Sequence, residues 1–195
     1  MVGELAQIGV LGLQGDFHAH GSALDGVGVP WRIVKKPTQL AGLAGLIIPG
    51  GESTTLIRLM DFWGFWQPLL DYARDGGALF GTCAGMILLA AQVRNPEQRS
   101  LGLIDIQVER NSYGRQIDSF EGTGTLRVGG TERPLEMIFI RAPRLLAQGP
   151  AVEALAFCRG DCVMAQQGRV LVASFHPELT ADTSVHRYFV ELASR

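Results

Sequence analysis

Residues 78–85 read ALFGTCAG, and this stretch decides the fold. The run 78–81 is short and apolar and follows Gly76-Gly77, as a strand buried on both faces does. The run 84–91 is apolar and predicts a helix. Between them Gly81-Thr82-Cys83-Ala84-Gly85 has the pattern G-x-C-x-G, the cysteine form of the tight strand-to-helix turn that exposes a nucleophile. Glycines two before and two after the cysteine let the backbone turn without a side-chain clash. The turn lifts the sulfur above the sheet, where the free N–H groups and positive end of the helix favour thiolate over thiol. A buried cysteine in a glycine-rich turn has the same local sequence, because free cysteine is often core. The turn alone leaves both readings open.

The alternation continues outward from this turn. Segments 7–13 (QIGVLGL), 31–34 (WRIV) and 46–48 (LII) read as strands. Helical segments are expected at about 18–27, then after Pro49-Gly50-Gly51, and again at 66–74. Ser53-Thr54-Thr55 is a candidate cap, and Leu56, Leu59, Met60 and Trp63 then recur at helical spacing. Strands alternating with helices predict an α/β fold, a mostly parallel central sheet flanked by helices. Beyond Pro96 the texture changes. Segments near 104–108, 124–128, 137–140, 152–157, 162–166 and 170–175 are strand-like, which predicts antiparallel additions to one edge of the sheet. The last segment, 183–194, is helical with Val185, Tyr188, Phe189 and Leu192 on one stripe. There is no repeat, low-complexity tract or linker, so 1–195 reads as one domain.

Composition narrows the function. The 195 residues carry 17 Lys+Arg and 19 Asp+Glu, a net charge of −2, which gives no basic footprint for nucleic acid. Lys35 and Lys36 are the only lysines and make no polybasic membrane patch. Cys83, Cys158 and Cys162 are odd in number and do not resemble a disulfide framework. Cys158 and Cys162 flank Arg159-Gly160-Asp161, which reads as a hairpin turn, and no zinc ligand set stands near them. Neither a metal nor a cofactor is expected. The N-terminus has Glu4 where a signal peptide carries a basic residue, and no apolar run reaches the ~18 residues of a membrane span. A cytoplasmic protein is the expectation.

A second motif closes the predicted strand at 170–175: His176-Pro177-Glu178. In extended chain residues i and i+2 point to one side, so His176 and Glu178 could lie together, with Pro177 stiffening the turn. A histidine oriented by a carboxylate is what a general base serving a nucleophile requires. A plain polar strand end is the alternative. Both motifs sit at the C-terminal ends of predicted parallel strands, the edge where open α/β sheets bind ligands. Acyl transfer also needs two N–H donors for the developing oxyanion. Ala84, after the nucleophile, and Gly51, in the loop PGGES, are the candidates, against a plain βα turn for that loop. His18 and His20 lie two apart in a predicted helix and do not share a face, and His186 reads as a surface position on the last helix. All three read as without function.

Together the motifs resemble a known family. FGTCAGM, PGGESTT and SFHPELT are similar to the class I, triad-type glutamine amidotransferases, whose fold is flavodoxin-like. GVLGLQGD (9–16), VERNSYGRQIDSFE (108–121) and FIRAP (139–143) narrow the resemblance to the glutaminase subunits of pyridoxal 5′-phosphate synthase. It runs along nearly the whole chain without departure at a motif position. It implies hydrolysis of L-glutamine to L-glutamate and ammonia, with Cys83 forming a thioester, His176 moving the proton and Glu178 orienting His176. It further implies glutamine contacts at Gly51, Glu52, Ser53, Arg110, Ile140 and Arg141. An Arg suits the substrate's α-carboxylate, although a surface ion pair is the ordinary role of such residues. The implied partner is a (β/α)8-barrel synthase subunit in a hetero-oligomeric complex for vitamin B6 biosynthesis. Ammonia would reach it through a protein channel. The free glutaminase would be weakly active until docking orders its oxyanion loop, with the turn 12–16 and the loop at Gly50-Gly51 taking part in that coupling.

Three rivals stay open on sequence. An amidotransferase subunit serving another acceptor, such as imidazole glycerol phosphate synthase, keeps the chemistry and lacks ERNSYGRQ. A catalytically silent binding protein on the same fold has no need of Cys83, His176 and Glu178 together. A thiol protease or chaperone with the same turn would act on peptides or aldehydes instead of glutamine.

Overall fold

The computed structural model describes residues 7–110 and 119–195. The first half alternates as expected: β1 (Ile8–Leu11), α1 (Phe17–Val27), β2 (Trp31–Val34), β3 (Gly45–Ile48), α2 (Ser53–Trp63), α3 (Trp66–Arg74), β4 (Ala78–Thr82) and α4 (Ala84–Leu89). The second half is strand-rich: β5 (Ala90–Arg94), β6 (Ile104–Glu109), β7 (Ser119–Val128), β8 (Thr131–Ile140), β9 (Arg144–Gln148), β10 (Glu153–Cys158), β11 (Asp161–Gln167) and β12 (Val170–Ala173), closed by α5 (Ser184–Ala193).

The large sheet runs β2-β1-β3-β4-β12-β11-β10-β7-β8. Its first five strands are parallel. The remaining four join antiparallel at one edge, as the sequence predicts, but the segment at 170–175, expected among those additions, is β12 and runs parallel to β4. The strand at 104–108 does not join that edge. As β6 it pairs with β5 and β9 in a separate three-stranded sheet. The expected helix 84–91 ends at Leu89 because Ala90 turns extended, at φ −61° and ψ 150°, and opens β5. An apolar run this short has no period that separates helix from strand, and pairing with β6 decides it. β9 is almost wholly exposed and shows no alternation to read.

Side chains alternate across the sheet, and the core lies on both faces. On β4, Leu79 points into the layer with Leu46, Met60, Phe65 and Val172, beneath α2 to α4. Ala78 and Phe80 point into the opposite layer with Ile47, Leu171, Val185 and Phe189, beneath α1 and α5. Thr82 continues that second face at the C-terminal end of β4 and is fully buried there.

Two turns fix the register around the site. Val128 pairs with Thr131 across Gly129-Gly130, which have φ of 60° and 76°, the two-residue hairpin turn that favours glycine. The hairpin expected at Arg159-Gly160-Asp161 turns on Arg159-Gly160 alone, and Asp161 opens β11 opposite Cys158. The cap of α2 is a correction. Ser53 is its first helical residue, and Glu52 is the cap, its carboxylate accepting from Thr54 N at 3.1 Å and Thr55 N at 2.7 Å. Among the described residues no helix is long and apolar enough to cross a membrane.

Candidate active site

β4 ends at Thr82 and α4 begins at Ala84, leaving Cys83 between them at φ 47° and ψ −102°. A non-glycine residue there costs of order 1–3 kcal/mol and persists only where its surroundings hold it. Here Cys83 N donates to Ala173 O at 2.9 Å on neighbouring β12, and Ile87 N donates to Cys83 O at 3.2 Å. The flanking glycines are required because three backbones touch. A Cβ on Gly81 would lie 2.5 Å from the Gly85 carbonyl, and one on Gly85 would lie 2.1 Å from Ile48 O. The Sγ of Cys83 lies 3.9 Å from Ile140 O of β8, a long contact for a weak donor.

β12 delivers the second motif to the same edge. His176 N donates to Ile138 O at 2.8 Å, which ties the segment after β12 to β8. His176 Nδ1 and Glu178 Oε1 are 2.7 Å apart, and the Glu178 side chain is 2% exposed. The sequence predicts extended chain here. Instead residues Pro177–Leu179 form a 3₁₀ turn with Pro177 at its start, and that turn brings the two side chains together. Burial alone pushes the His176 imidazole down in pKa, but its hydrogen bonds with Cys83 and Glu178 outweigh this and raise it to about 10. Burial acts to raise the Glu178 carboxyl, while His20 and His176 on its two sides hold it below the usual carboxylate range.

A cleft of about 150 Å³ opens above Cys83 and His176. Gly51, Glu52, Ser53, Arg110, Ile140 and Arg141 complete its lining, so the expected contact residues converge on one cavity. Glu178 lies behind His176, and Ala84 is buried beneath as the first residue of α4, whose first N–H groups have no partner within the helix. Gly51 adopts φ 142°, and a Cβ on it would meet the Gln14 amide at 2.7 Å. Gln14 Oε1 accepts from Glu52 N at 3.1 Å, so the turn after β1 touches the loop after β3. Glu52 is engaged as a helix cap, which holds its carboxyl down at about 2 against the opposing effect of burial. Arg110 Nη2 is 3.5 Å from Glu52 Oε1 and donates to Thr54 Oγ1 at 3.2 Å. Ser53 Oγ donates to Gln98 Oε1 at 3.1 Å. The NSYGRQ part of the motif after Arg110 lies outside the described residues.

A larger cavity of about 450 Å³ lies at the opposite edge, between the segments around Leu40–Ala44 and Asp71–Gly77. No Cys or His lines it, and Cys83 and His176 line the smaller cleft instead. Among the described residues no group of three or more His, Cys, Asp and Glu could hold a metal ion.

Sequence reasoning missed two histidines. His186 is fully buried, not a surface position, and His20 is fully buried beside it, whereas His18 is exposed. The buried stripe of α5 is wider than the apolar residues show, and His186 sits on its edge between Val185 and Phe189. On α1, His20 shares the buried face with Leu24 one turn on, and that spacing was the available signal.

The sequence model of the SNO glutamine amidotransferase family matches residues 10–195. The chain belongs to the SNO glutamine amidotransferase family. Among its relatives, the pyridoxal 5′-phosphate synthase subunit PdxT of Deinococcus radiodurans is 51% identical over 191 residues, covering 95% of this chain and 96% of that protein. PdxT of Thermosipho africanus is 50% identical over 189 residues, covering 97% and 100%. A crystal structure of a glutamine amidotransferase superposes with a TM-score of 0.89 at 45% identity over 96% of this chain and 99% of that one. PurLQS from Thermotoga maritima shares the fold at a TM-score of 0.75 and 14% identity, covering 96% of this chain and 99% of that one. In this glutamine amidotransferase the α/β class and the antiparallel edge are thus those of its family, and the cleft at the β4 and β12 ends is its candidate centre.

Proposed function

We propose that this chain is the glutaminase subunit of a pyridoxal 5′-phosphate synthase. It hydrolyses L-glutamine to L-glutamate and ammonia and passes the ammonia to a (β/α)8-barrel synthase subunit in vitamin B6 biosynthesis. The observation that carries the chemistry is the buried His176–Glu178 pair at 2.7 Å, whose imidazole lines one cleft with a cysteine in a strained strand-to-helix turn.

The steps follow from the chemistry of these groups. The proton shared between Cys83 and His176 rests on the imidazole as the sulfur attacks the side-chain amide carbon, while the N–H groups of Ala84 and Gly51 receive the oxyanion. Collapse of the tetrahedral intermediate breaks the C–N bond, and the proton on His176 goes to the departing ammonia. The γ-glutamyl thioester is left on Cys83. His176 then takes a proton from water, which attacks the thioester, and returns it to the sulfur as glutamate leaves. Glu178 holds one imidazole orientation throughout. Glu52, Ser53, Arg110, Ile140 and Arg141 hold the α-amine and α-carboxylate end of glutamine, and the guanidinium groups suit the carboxylate.

Ammonia is soon protonated in water, so direct delivery to a partner avoids its loss. The near-complete coverage of the PdxT relatives supports a synthase partner of that kind. The family match across 10–195 supports a single glutaminase domain over 1–195. A cytoplasmic location is our reading of the free cysteines Cys83, Cys158 and Cys162, which suit a reducing compartment. The test is glutamate release from L-glutamine by the protein alone and mixed with a synthase subunit, each with a Cys83→Ala control. Strong stimulation that the substitution abolishes is the expected result. Equal activity with and without the partner assigns the triad to another acceptor.

A further inference from the structure

Behind the triad lies a polar cluster in an otherwise apolar layer. His20 of α1 and His186 of α5 are both fully buried against the Thr82 end of β4. His20 Nδ1 is 3.0 Å from His186 Nε2. His20 Nε2 is 3.3 Å from Thr82 Oγ1 and 3.4 Å from Glu178 Oε2. Glu178 is therefore flanked by two imidazoles, His176 on the cleft side at Oε1 and His20 on the core side at Oε2. His186 Nδ1 and Glu178 Oε2 are both buried with no hydrogen-bond partner, so the 3.4 Å approach of His20 Nε2 to Oε2 is a polar contact just short of a hydrogen bond.

His186 Nδ1 orders the protons. If His20 carried its proton on Nδ1 and gave it to His186, then His186 would hold an N–H at Nδ1 with no acceptor, and a bare His20 Nε2 would face a carboxylate oxygen. The opposite arrangement removes both costs. His186 Nε2–H donates to His20 Nδ1, the lone pair of His186 Nδ1 alone goes unmet, and His20 Nε2–H points at Thr82 Oγ1 and Glu178 Oε2. Buried N–H groups without acceptors are rarer than unmet acceptors, which favours this second arrangement.

We propose that His20, its tautomer fixed by His186, is a positioning residue for glutamine hydrolysis that holds the rear oxygen of Glu178 so the carboxylate stays ionised and faces His176. The inference rests on the triad roles given above. Burial lowers the pKa of His20, and lowers that of His186 to about 3, so both rings are neutral donors at neutral pH. The charged or titratable groups facing His20 are Glu178, His176 and Asp16, with His186 at hydrogen-bond distance. With the rear N–H removed, the Glu178 carboxyl rises in pKa, and the acid limb of the kcat profile moves to higher pH.

The test compares His20→Leu, His20→Asn and His20→Gln in the synthase-bound protein. Gln can place an N–H where Nε2 stands, whereas Asn reaches only as far as Nδ1. Leu and Asn are expected to lower kcat about tenfold, the factor of removing the polar group nearest a buried carboxylate oxygen, with KM unchanged and the acid limb displaced upward. Gln is expected to restore most of kcat and the original limb. Equal kcat and pH profiles in all three, whether all retained or all lost, would falsify the proposal. If Leu fails to fold, the Asn and Gln pair decides it. The pH dependence of Cys83 alkylation by iodoacetamide is followed in the same variants. If the wild type releases no Cys83-dependent glutamate, the glutaminase reading fails, and an alkylation profile that distinguishes Asn from Gln still supports the positioning role. An alkylation profile identical in both overturns it.

Discussion

Gly50 lies directly against the imidazole of His176. A Cβ at that position would come within 2.4 Å of Cε1, 3.2 Å of Nδ1 and 3.2 Å of the Cys83 Cβ. The loop after β3 thus packs against both His176 and Cys83 and leaves no room for a methyl group. Gly50→Ala must displace the ring or the loop, and a displacement of about 1 Å in a reacting group can cost ~100-fold in rate. Glutamate release with the synthase present is expected to fall by at least that factor, while far-UV circular dichroism and melting stay near wild type.

The same substitution in the turn has a different consequence. At Gly85 the new Cβ would lie 2.1 Å from Ile48 O, a backbone atom that cannot rotate away. β3 and α4 would have to separate, and overpacking of this kind costs about 1–3 kcal/mol or more. Gly85→Ala is expected to lower the urea midpoint clearly, and Gly81→Ala to do likewise. A midpoint unchanged in both variants would contradict the close approach of the three backbones.

His176 should titrate far from its ordinary range. With its pKa raised to about 10, the imidazole is protonated at neutral pH, and NMR of its ring protons is expected to show a midpoint near that value. Cys83→Ala removes one of the two partners that raise it and should bring the midpoint down. The linkage follows in sign. A folded pKa above the unfolded value near 6.5 gives stability that is complete below pH 6.5 and lost as pH climbs through about 10. Between pH 7 and 10 the wild type should therefore lose more stability than Cys83→Ala, as read from urea midpoints.

Glu52 gives the opposite dependence. Its carboxylate caps α2, and its pKa of about 2 lies below the unfolded value near 4.5. The cap is therefore at full strength above pH 4.5 and fades as pH falls through about 2. Half the side chain is solvent-exposed, so screening reduces the electrostatic part. Glu52→Ala is expected to cost about 1 kcal/mol at pH 7, the ordinary value of a helix cap, and less at pH 3. Urea midpoints at the two pH values check it.

Gln14 links the turn after β1 to the loop after β3 through Glu52 N and its packing over Gly51. On the proposed mechanism Gly51 supplies an oxyanion donor, so Gln14→Ala frees the loop that carries it. Stimulation of glutaminase activity by the synthase subunit is expected to drop severalfold. Unchanged stimulation would remove the turn at 12–16 from the coupling.

The α/β class was legible because β1, β3, β4 and β12 are buried on both faces and read as continuous apolar runs. The G-x-C-x-G turn was legible because its glycines answer a local steric demand. β5 was not legible, since Ala90-Ala91 suits helix as well as strand and only pairing with β6 decides it. The Glu52 cap escaped for a related reason: it precedes the Ser-Thr-Thr run that better suits a cap by type.

The sequence by itself determined the elements and the motif residues, because strand period, turn glycines and the spacing of His176 and Glu178 are properties of adjacent residues. It also determined, through its motifs, the family to which the chain belongs. Only the tertiary structure decided that His20 and His186, 166 positions apart, meet at 3.0 Å behind Glu178. A buried imidazole is costly or useful according to the atoms facing it, and those atoms come from α1, β4, α5 and the turn after β12, which only the folded sheet brings to one point.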